Sequence, residues 1–127
     1  MSGPGSRRNA KRRLGKGPGR VDGPKPLEKQ IAWDIVQALR LIGFDVSSTQ
    51  QSRASRQTVG MPDLYATHAA WGLRFWLEVK RLGGRVSKAQ QAWHDAERAA
   101  GGIVLVATSA ADALRQVERL RADRRMG

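Results

Sequence analysis

The segment LRFWLEVK, residues 73–80, is the strongest strand signal in this sequence, and the rest of the predicted sheet is built around it. Its odd-numbered residues are all apolar, whereas its even-numbered positions include Glu78 and Lys80. Successive side chains of a strand point to opposite faces, so one face is apolar and the other carries Glu78 beside Lys80. Charges on so apolar a strand are costly unless they serve a function.

The residues that follow this segment predict a strand–helix–strand unit. Ser87 is a favourable N-cap, and Gln90 three residues later completes a capping box, which predicts a helix to about Ala100. The unbroken apolar run IVLVA at 103–107 is typical of a buried strand. A strand, a helix and a second strand in this order form a right-handed crossover between parallel strands.

The rest of the chain predicts two more helices and two more strands. A stripe at helical spacing predicts a helix from Leu27, and its members are Ile31, Ile35, Leu39 and Ile42. Short strand patterns follow at 44–51 and 64–68. Ser109 caps a last helix whose apolar residues are Leu114, Val117 and Leu120. The predicted fold class is α/β, a small mixed β-sheet flanked by helices in the order α-β-β-β-α-β-α.

The charge of the chain indicates a polyanionic partner. Its 127 residues, enough for one domain, carry 23 Lys and Arg against 11 Asp and Glu, a net charge of +12. Residues 1–26 hold eight of the basic residues, only one acid, and four of the five prolines. Such a stretch buries too little apolar surface to offset its ordering entropy. We therefore expect a disordered basic arm at 1–26 and a folded domain at 27–127.

The composition also excludes several classes of protein. The absence of cysteine excludes a disulfide scaffold, a zinc finger and thiol catalysis. No run of about 18 apolar residues predicts a membrane span, and no apolar stretch follows the basic N-terminus as in a secretory signal. We expect a protein that does not bind membranes. Its expected location is the bacterial cytoplasm, which is the host cytoplasm if a phage encodes it.

Two carboxylates and a lysine converge in the predicted sheet. Asp63 precedes the second strand, while Glu78 and Lys80 end the third, so pairing of these strands as a hairpin brings the carboxylates to one edge. Two carboxylates with a carbonyl and waters suit Mg²⁺ or Mn²⁺, and a lysine beside them holds a phosphate or a water. This combination fits phosphodiester hydrolysis. The alternative is that Glu78 and Lys80 form a solvated pair and Asp63 only begins a turn.

These motifs resemble those of a nuclease family. GMPDL at 60–64, EVK at 78–80, and SKAQ at 87–90 followed by Trp93 and the glycine pair at 101–102 look like the VRR-NUC branch of the PD-(D/E)xK nucleases. That branch is also similar to small Holliday-junction resolvases. The resemblance covers about 27–120 and implies a restriction-endonuclease-like core and a metal-dependent endodeoxyribonuclease, with branched DNA among its candidate substrates. A symmetric cut of a junction needs two active sites, so the resemblance also suggests a homodimer.

The resemblance also implies roles for individual residues. The implied catalytic residues are Asp63, Glu78, Lys80 and Gln90. The two acids, with the backbone carbonyl of Val79, are implied to ligate Mg²⁺ or Mn²⁺, and the lysine is implied to orient the attacking water. The glutamine is implied to help hold the site, a role that Gln91 fills in another helix register. Glu28 matches a glutamate that the family often carries in its first helix, although the helix dipole also explains an acid there.

Further residues are candidates for DNA contact or for the core. Five arginines flank the proposed site as a phosphate-gripping rim or as an ordinary solvated surface: Arg53, Arg56, Arg74, Arg81 and Arg85. Trp33 and Trp93 lie near apolar helical faces and are expected in the core. Trp71, in a predicted turn, is expected to pack or to be exposed by chance, with stacking on an unpaired base as the alternative. His94 is interpreted as a solvated or capping helix residue.

Two functions from different classes remain. The first is a Mg²⁺- or Mn²⁺-dependent endonuclease acting on DNA, and the second is a non-catalytic basic module that binds DNA on the same fold. Asp63, Glu78 and Lys80 together favour the endonuclease. A binding module has no reason to keep two carboxylates facing a polyanion.

Overall fold

A mixed four-stranded sheet with three helices forms this α/β domain, as the sequence predicts. The computed structural model describes residues 26–49 and 59–126. The helices are α1 (Pro26–Leu41), α2 (Lys88–Ala99) and α3 (Ala110–Met126). The strands are β1 (Asp45–Ser48), β2 (Leu64–His68), β3 (Leu73–Val79) and β4 (Val104–Ala107), and they lie in the order β1-β2-β3-β4. No helix in the described ranges is both long and apolar enough to cross a membrane.

The sheet combines a meander with one crossover. Strands β1, β2 and β3 pair antiparallel, whereas β3 and β4 pair parallel and are joined through α2. In the β2–β3 hairpin Leu64 lies opposite Leu77, so the first residue of β2 lies close to the end of β3. This register places the residue before β2 beside the last residues of β3, which is the arrangement that the candidate site needs.

The core lies on the face of the sheet that α1 and α3 cover. The odd-numbered positions of β3 all point into it, which confirms the alternation predicted from the sequence. Ile35 and Leu39 of α1 and Val117 of α3 are buried against them. Burying such a side chain contributes about 1.5–3 kcal/mol, so this face supplies most of the hydrophobic stabilisation of the domain.

Helix α1 differs in detail from its predicted stripe. Ile42 lies beyond the helix and is 36% exposed, because the chain turns at Gly43 with a φ of +106°. The side chain of His68 lies so close to this turn that a Cβ on Gly43 would meet its Nε2 at 2.6 Å. The placement of Trp33 in the core is wrong, since its ring is 61% exposed on the outer face of α1.

Helix α2 covers the opposite face of the sheet and begins at the predicted capping box. The Ser87 Oγ accepts a hydrogen bond from the Gln90 backbone N–H at 3.1 Å, and the Gln90 Oε1 accepts one from the Ser87 backbone N–H at 2.9 Å. Trp93 is half-buried and meets the ring of Trp76 edge-on, with ring centres 5.1 Å apart. The aromatic contact and the cap together set how α2 lies on β3.

The other predicted boundaries hold to within a few residues. The strand expected at 44–51 spans only Asp45–Ser48, and residues 50 and 51 lie outside the described residues. Strand β3 ends one residue early, although the Lys80 backbone N–H still donates to Ala107 at 3.1 Å. Of the predicted arm, residues 1–25 lie outside the described residues, and Pro26 is the first residue of α1.

Trp71 packs against protein groups. Its ring is parallel to that of His68, with centres 3.8 Å apart, and the Arg121 guanidinium carbon lies 3.8 Å from the centre of a Trp71 ring. The expectation that Trp71 packs is therefore confirmed.

Candidate functional site

The hairpin fixes Asp63 at the end of β3. The Asp63 Oδ2 accepts a hydrogen bond from the Val79 backbone N–H at 2.9 Å, so the carboxylate ties the entry of β2 to the last residue of β3. On the other side, the Thr49 backbone N–H donates to the Asp63 carbonyl at 2.9 Å. The Thr49 hydroxyl donates to the Pro62 carbonyl at 2.6 Å. The Pro-Asp dipeptide is therefore held from both neighbouring strands.

The loop before Asp63 lies against the start of α2. Gly60 has a φ of +90°, in the left-handed region that favours glycine. A Cβ at this position would overlap the Ala89 carbonyl oxygen. The glycine of the 60–64 motif therefore lets the loop approach α2 closely, which brings Asp63 and α2 to the same end of the sheet.

Glu78 is buried at the centre of the site. Its side chain is 2% exposed, and its Oε2 accepts a hydrogen bond from the Gln90 Nε2 at 3.0 Å. The Lys80 Nζ lies 3.9 Å from the same oxygen, and the lysine side chain is 15% exposed. The structure thus brings together the two acids, the lysine and the glutamine that the resemblance implies. The alternative of a solvated Glu78–Lys80 pair does not hold, because the glutamate side chain is buried.

Burial changes the acidity of this carboxyl group. The pKa of Glu78 is raised to about 8, mainly by burial and then by the Asp63 carboxylate through charge repulsion and a hydrogen bond. Lys80 lowers the pKa of Glu78 without cancelling these effects, and Glu28 adds to the rise. Without a further positive charge, the site therefore favours a proton on Glu78 at neutral pH.

Two buried polar atoms at the site have no hydrogen-bond partner among the described residues. They are the Glu78 Oε1 and the His94 Nε2, which lie 3.9 Å apart. Burial, followed by the charge of Arg98, lowers the pKa of His94, so the ring is neutral at neutral pH. The Glu78 Oε1 is therefore a buried acceptor that the described protein groups leave unsatisfied, which is a costly state.

The interpretation of His94 as solvated is wrong, because its side chain is 1% exposed. The face of α2 on which His94 lies could have been deduced from spacing, whereas the extent of its burial could not. His94 follows Gln90 by four residues, and residues four apart share one helical face. Once Gln90 is assigned to the site, His94 must face the same side of α2.

Glu28 lies at the edge of the site. Its Oε2 accepts a long hydrogen bond of 3.4 Å from the Arg81 backbone N–H, just beyond β3. Glu28 and Asp63 also line the same small cavity, of about 210 Å³, together with Ser48 and Val79. The first helix therefore brings a third carboxylate to the neighbourhood of the two acids.

The donor atoms fit a hard divalent cation. Asp63 and Glu78 offer carboxylate oxygens, Val79 offers a backbone carbonyl, and the Glu78 Oε1 accepts no hydrogen bond from the described residues. Among the described residues no three Asp, Glu or His side chains form a ready metal-binding cluster. Mg²⁺ does not require one, since it keeps several waters and takes one or two carboxylates.

The remaining predicted residues are spread more widely. Arg81 lies next to Lys80, Arg85 is exposed before α2, and Arg74 is exposed near the far end of β3, roughly 13 Å along the strand from Glu78. Arg53 and Arg56 lie outside the described residues. Gln91 donates to Asp95 at 2.8 Å on the exposed side of α2, so Gln90 is the glutamine that faces the site.

This arrangement has a definite chemical capacity. Two adjacent carboxylates create a negative centre that attracts a cation, and Lys80 supplies a positive charge beside it for a water or a phosphate oxygen. The half-buried Gln90 fixes one carboxylate through its side-chain amide, which keeps the centre organised without substrate. No family model, curated protein or solved structure matches this chain.

Proposed function

We propose that this chain is a Mg²⁺- or Mn²⁺-dependent endodeoxyribonuclease of the PD-(D/E)xK type, with a restriction-endonuclease-like core similar to the VRR-NUC branch. The observation that carries the proposal is the meeting of Asp63, Glu78 and Lys80 at one end of the β2–β3 hairpin. These residues are separated in the sequence, and the strand register alone brings them together.

The residues of the chain divide the work among them. Asp63, Glu78 and the Val79 carbonyl would hold the cation. When bound, the cation makes water a stronger nucleophile and neutralises charge on the leaving oxygen. Lys80 orients the attacking water or a phosphate oxygen, and Gln90 keeps Glu78 in position.

DNA is the substrate that the charge of the chain supports. The net charge of +12 raises the local concentration of a polyanion, and Arg81 and Arg85 lie near the site to contact phosphates. Two carboxylates beside these arginines fit hydrolysis better than binding alone, because carboxylates repel phosphates unless a cation lies between them. For a four-way junction the proposal includes a homodimer, since the two symmetric cuts need two active sites.

A cleavage assay tests the proposal. Linear duplex, nicked, flap and four-way junction DNA are incubated with the protein in Mg²⁺, in Mn²⁺ and in EDTA. We expect cleavage of at least one substrate with either metal and none in EDTA. Asp63→Asn and Glu78→Gln should each lower the cleavage rate by a factor of at least about 100, because each removes a ligand charge.

Asp34→Asn is the matched control. Asp34 is an exposed acid on α1 whose partner is Gln30, so its loss should leave cleavage unchanged. DNA binding without cleavage of any substrate in either metal would overturn the proposal and favour the non-catalytic DNA-binding module. Cleavage by Asp63→Asn at the parental rate would refute the assignment of the site.

A further inference from the structure

A second concave site lies on the same sheet face as the candidate active site. It is a cleft of about 800 Å³ between strands β2 and β3, the end of α2 and the end of α3. The residues that matter for its chemistry are Tyr65, Thr67, Arg74, Trp76, Glu97 and Arg124. None of the proposed catalytic residues lines it. The cleft therefore needs an explanation of its own.

An aromatic pair forms the floor of this cleft. Tyr65 and Trp76 are directly opposite in the β2–β3 register, and their ring centres lie 4.5 Å apart. Trp76 is fixed further, because its Nε1 donates to the Glu97 Oε2 at 3.3 Å and Trp93 meets its ring edge-on. A Cβ on Gly102 would overlap Glu97, so this glycine leaves the room that the carboxylate needs. The Trp76 ring is thus held in place without a ligand, and Tyr65 packs against it.

The tyrosine side of this pair is open. Across the other edge of β2, Tyr65 pairs with Ser47 of β1, an exposed residue too small to cover an aromatic ring. Helix α2 packs on β4 and, through Trp93, on Trp76 of β3, so it lies over the other half of the sheet. Both Tyr65 and Trp76 remain partly exposed. A planar group can therefore reach this platform from solvent.

The platform is in line with the candidate active site. Asp63 precedes Tyr65 by two residues and Glu78 follows Trp76 by two, so all four share one face of the sheet. Two residues of strand span about 7 Å, which places the rings next to the carboxylates. Arg74, two residues before Trp76, continues the row on the far side and is exposed. Carboxylates, aromatic rings and a guanidinium thus follow one another along the face.

We propose that this cleft binds an unpaired nucleotide of the DNA next to the scissile phosphate, with its base on the Tyr65–Trp76 platform and a flanking phosphate at Arg74. The inference rests on the proposed nuclease function. Bases inside a duplex are stacked on one another, so only an unpaired or flipped base offers its face to an aromatic ring. Such stacking accepts any base, because every base has a π-face.

Binding without cleavage tests this inference. The affinities of the full chain for a fluorescent oligothymidylate and for a blunt duplex are measured by anisotropy in EDTA. Tyr65→Leu should weaken binding of the oligothymidylate about tenfold, in line with the contribution of one stacked base. Tyr65→Phe keeps the ring and should retain the affinity. Duplex binding should be unchanged in both variants.

Two further variants separate the charge from the ring. Arg74→Gln should reduce the slope of log affinity against log salt by about 0.7 on the single strand, the value for one lost phosphate contact. Trp33→Leu is the control, because it removes an exposed tryptophan of α1 that the cleft does not include. It should leave both affinities unchanged.

The outcomes distinguish this inference from the proposed function. Circular dichroism checks that the Tyr65→Leu protein is folded. The nucleotide site is refuted if this variant binds the oligothymidylate as tightly as the parent. It is also refuted if the variant loses as much affinity for the duplex as for the oligothymidylate. Cleavage by the parent in Mg²⁺ would then still stand. Conversely, selective loss of single-strand affinity with no cleavage of any DNA by the parent would support the cleft and refute the nuclease.

Discussion

Gln90 joins the cap of helix α2 to the buried carboxylate of Glu78. Its Nε2 donates to the Glu78 Oε2 at 3.0 Å, while its Oε1 accepts from the Ser87 backbone N–H at 2.9 Å. One amide group thus caps the N-terminus of α2 and orients the acid. The start of α2 and the candidate active site are therefore coupled through a single side chain.

Substitutions at Ser87 and Gln90 separate the two roles of this amide. Gln90→Glu can keep the capping box, since glutamate serves at this position, but it places a second carboxylate against Glu78. We expect it to retain the melting temperature at acid pH, where a protonated glutamate can still donate, and to lose at least about tenfold in cleavage at neutral pH, because a carboxylate cannot donate the hydrogen bond that Gln90 gives to Glu78. Ser87→Ala should cost about 1 kcal/mol of unfolding free energy and leave cleavage nearly unchanged. Equal losses of cleavage in both variants would contradict the separation.

The parts of this site that the sequence predicted are those that local rules govern. The capping box predicted the start of α2, and the alternation of residues 73–80 with the hairpin spacing brought Asp63 to Glu78, whereas the site role of Gln90 was implied only by the family resemblance. The burial of His94 depends instead on how α2 lies on the sheet, which the Trp76–Trp93 contact decides. Likewise the outer position of Trp33 depends on which face of α1 meets the core. Long-range packing of this kind leaves no pattern in a few adjacent residues.

Lys80 separates cation binding from catalysis. Lys80→Ala leaves both carboxylates and the Val79 carbonyl, so we expect Mg²⁺ binding measured by calorimetry to persist. Cleavage should fall by a factor of about 100 or more, because the water or phosphate is no longer held. Lys80→Arg should not restore the rate fully, since the planar guanidinium does not replace a compact ammonium. A loss of Mg²⁺ affinity as large as that of Glu78→Gln would show instead that Lys80 is structural.

His94 provides a test in which stability and activity should diverge. Its Nε2 is buried and has no hydrogen-bond partner in the described part of the chain, so His94→Leu removes an unsatisfied polar atom at similar volume and should change the unfolding free energy by less than about 1 kcal/mol. If His94 helps to position Glu78, cleavage should nevertheless fall. Thermal denaturation and single-turnover kinetics of the same preparation measure both. A large drop in the free energy of unfolding would show that the imidazole makes a stabilising polar contact that leucine cannot make.

The basic arm should act through charge alone. Residues 1–26 carry eight basic side chains, and 1–25 lie outside the described residues. Replacement of all eight basic residues by glutamine should flatten the slope of log affinity against log salt. If about half of them contact phosphate, the change should be about three to four units on duplex DNA. Cleavage at saturating enzyme should hardly change, since Asp63, Glu78 and Lys80 are elsewhere. An unchanged slope would mean that the arm does not contact DNA.

The raised pKa of Glu78 predicts how stability and cation binding depend on pH. Its ordinary value of 4.5 rises to about 8, mainly through burial and then through Asp63, so the native state binds this proton more tightly than the unfolded chain does. Unfolding therefore releases a proton between these values, and in EDTA the free energy of unfolding should fall as pH rises from 4.5 to 8.

A bound cation reverses this trend, because it takes the place of the proton and favours the ionised carboxylates. The rise in melting temperature caused by Mg²⁺ should consequently be larger at alkaline than at acid pH, as measured by thermal denaturation across this range. Glu78→Gln should remove the fall in unfolding free energy with rising pH in EDTA. It should also make the rise in melting temperature caused by Mg²⁺ independent of pH. Asp34→Asn, an exposed acid away from the site, should retain them. If Mg²⁺ raised the melting temperature equally at both ends of the range, the cation would be bound at a site without Glu78.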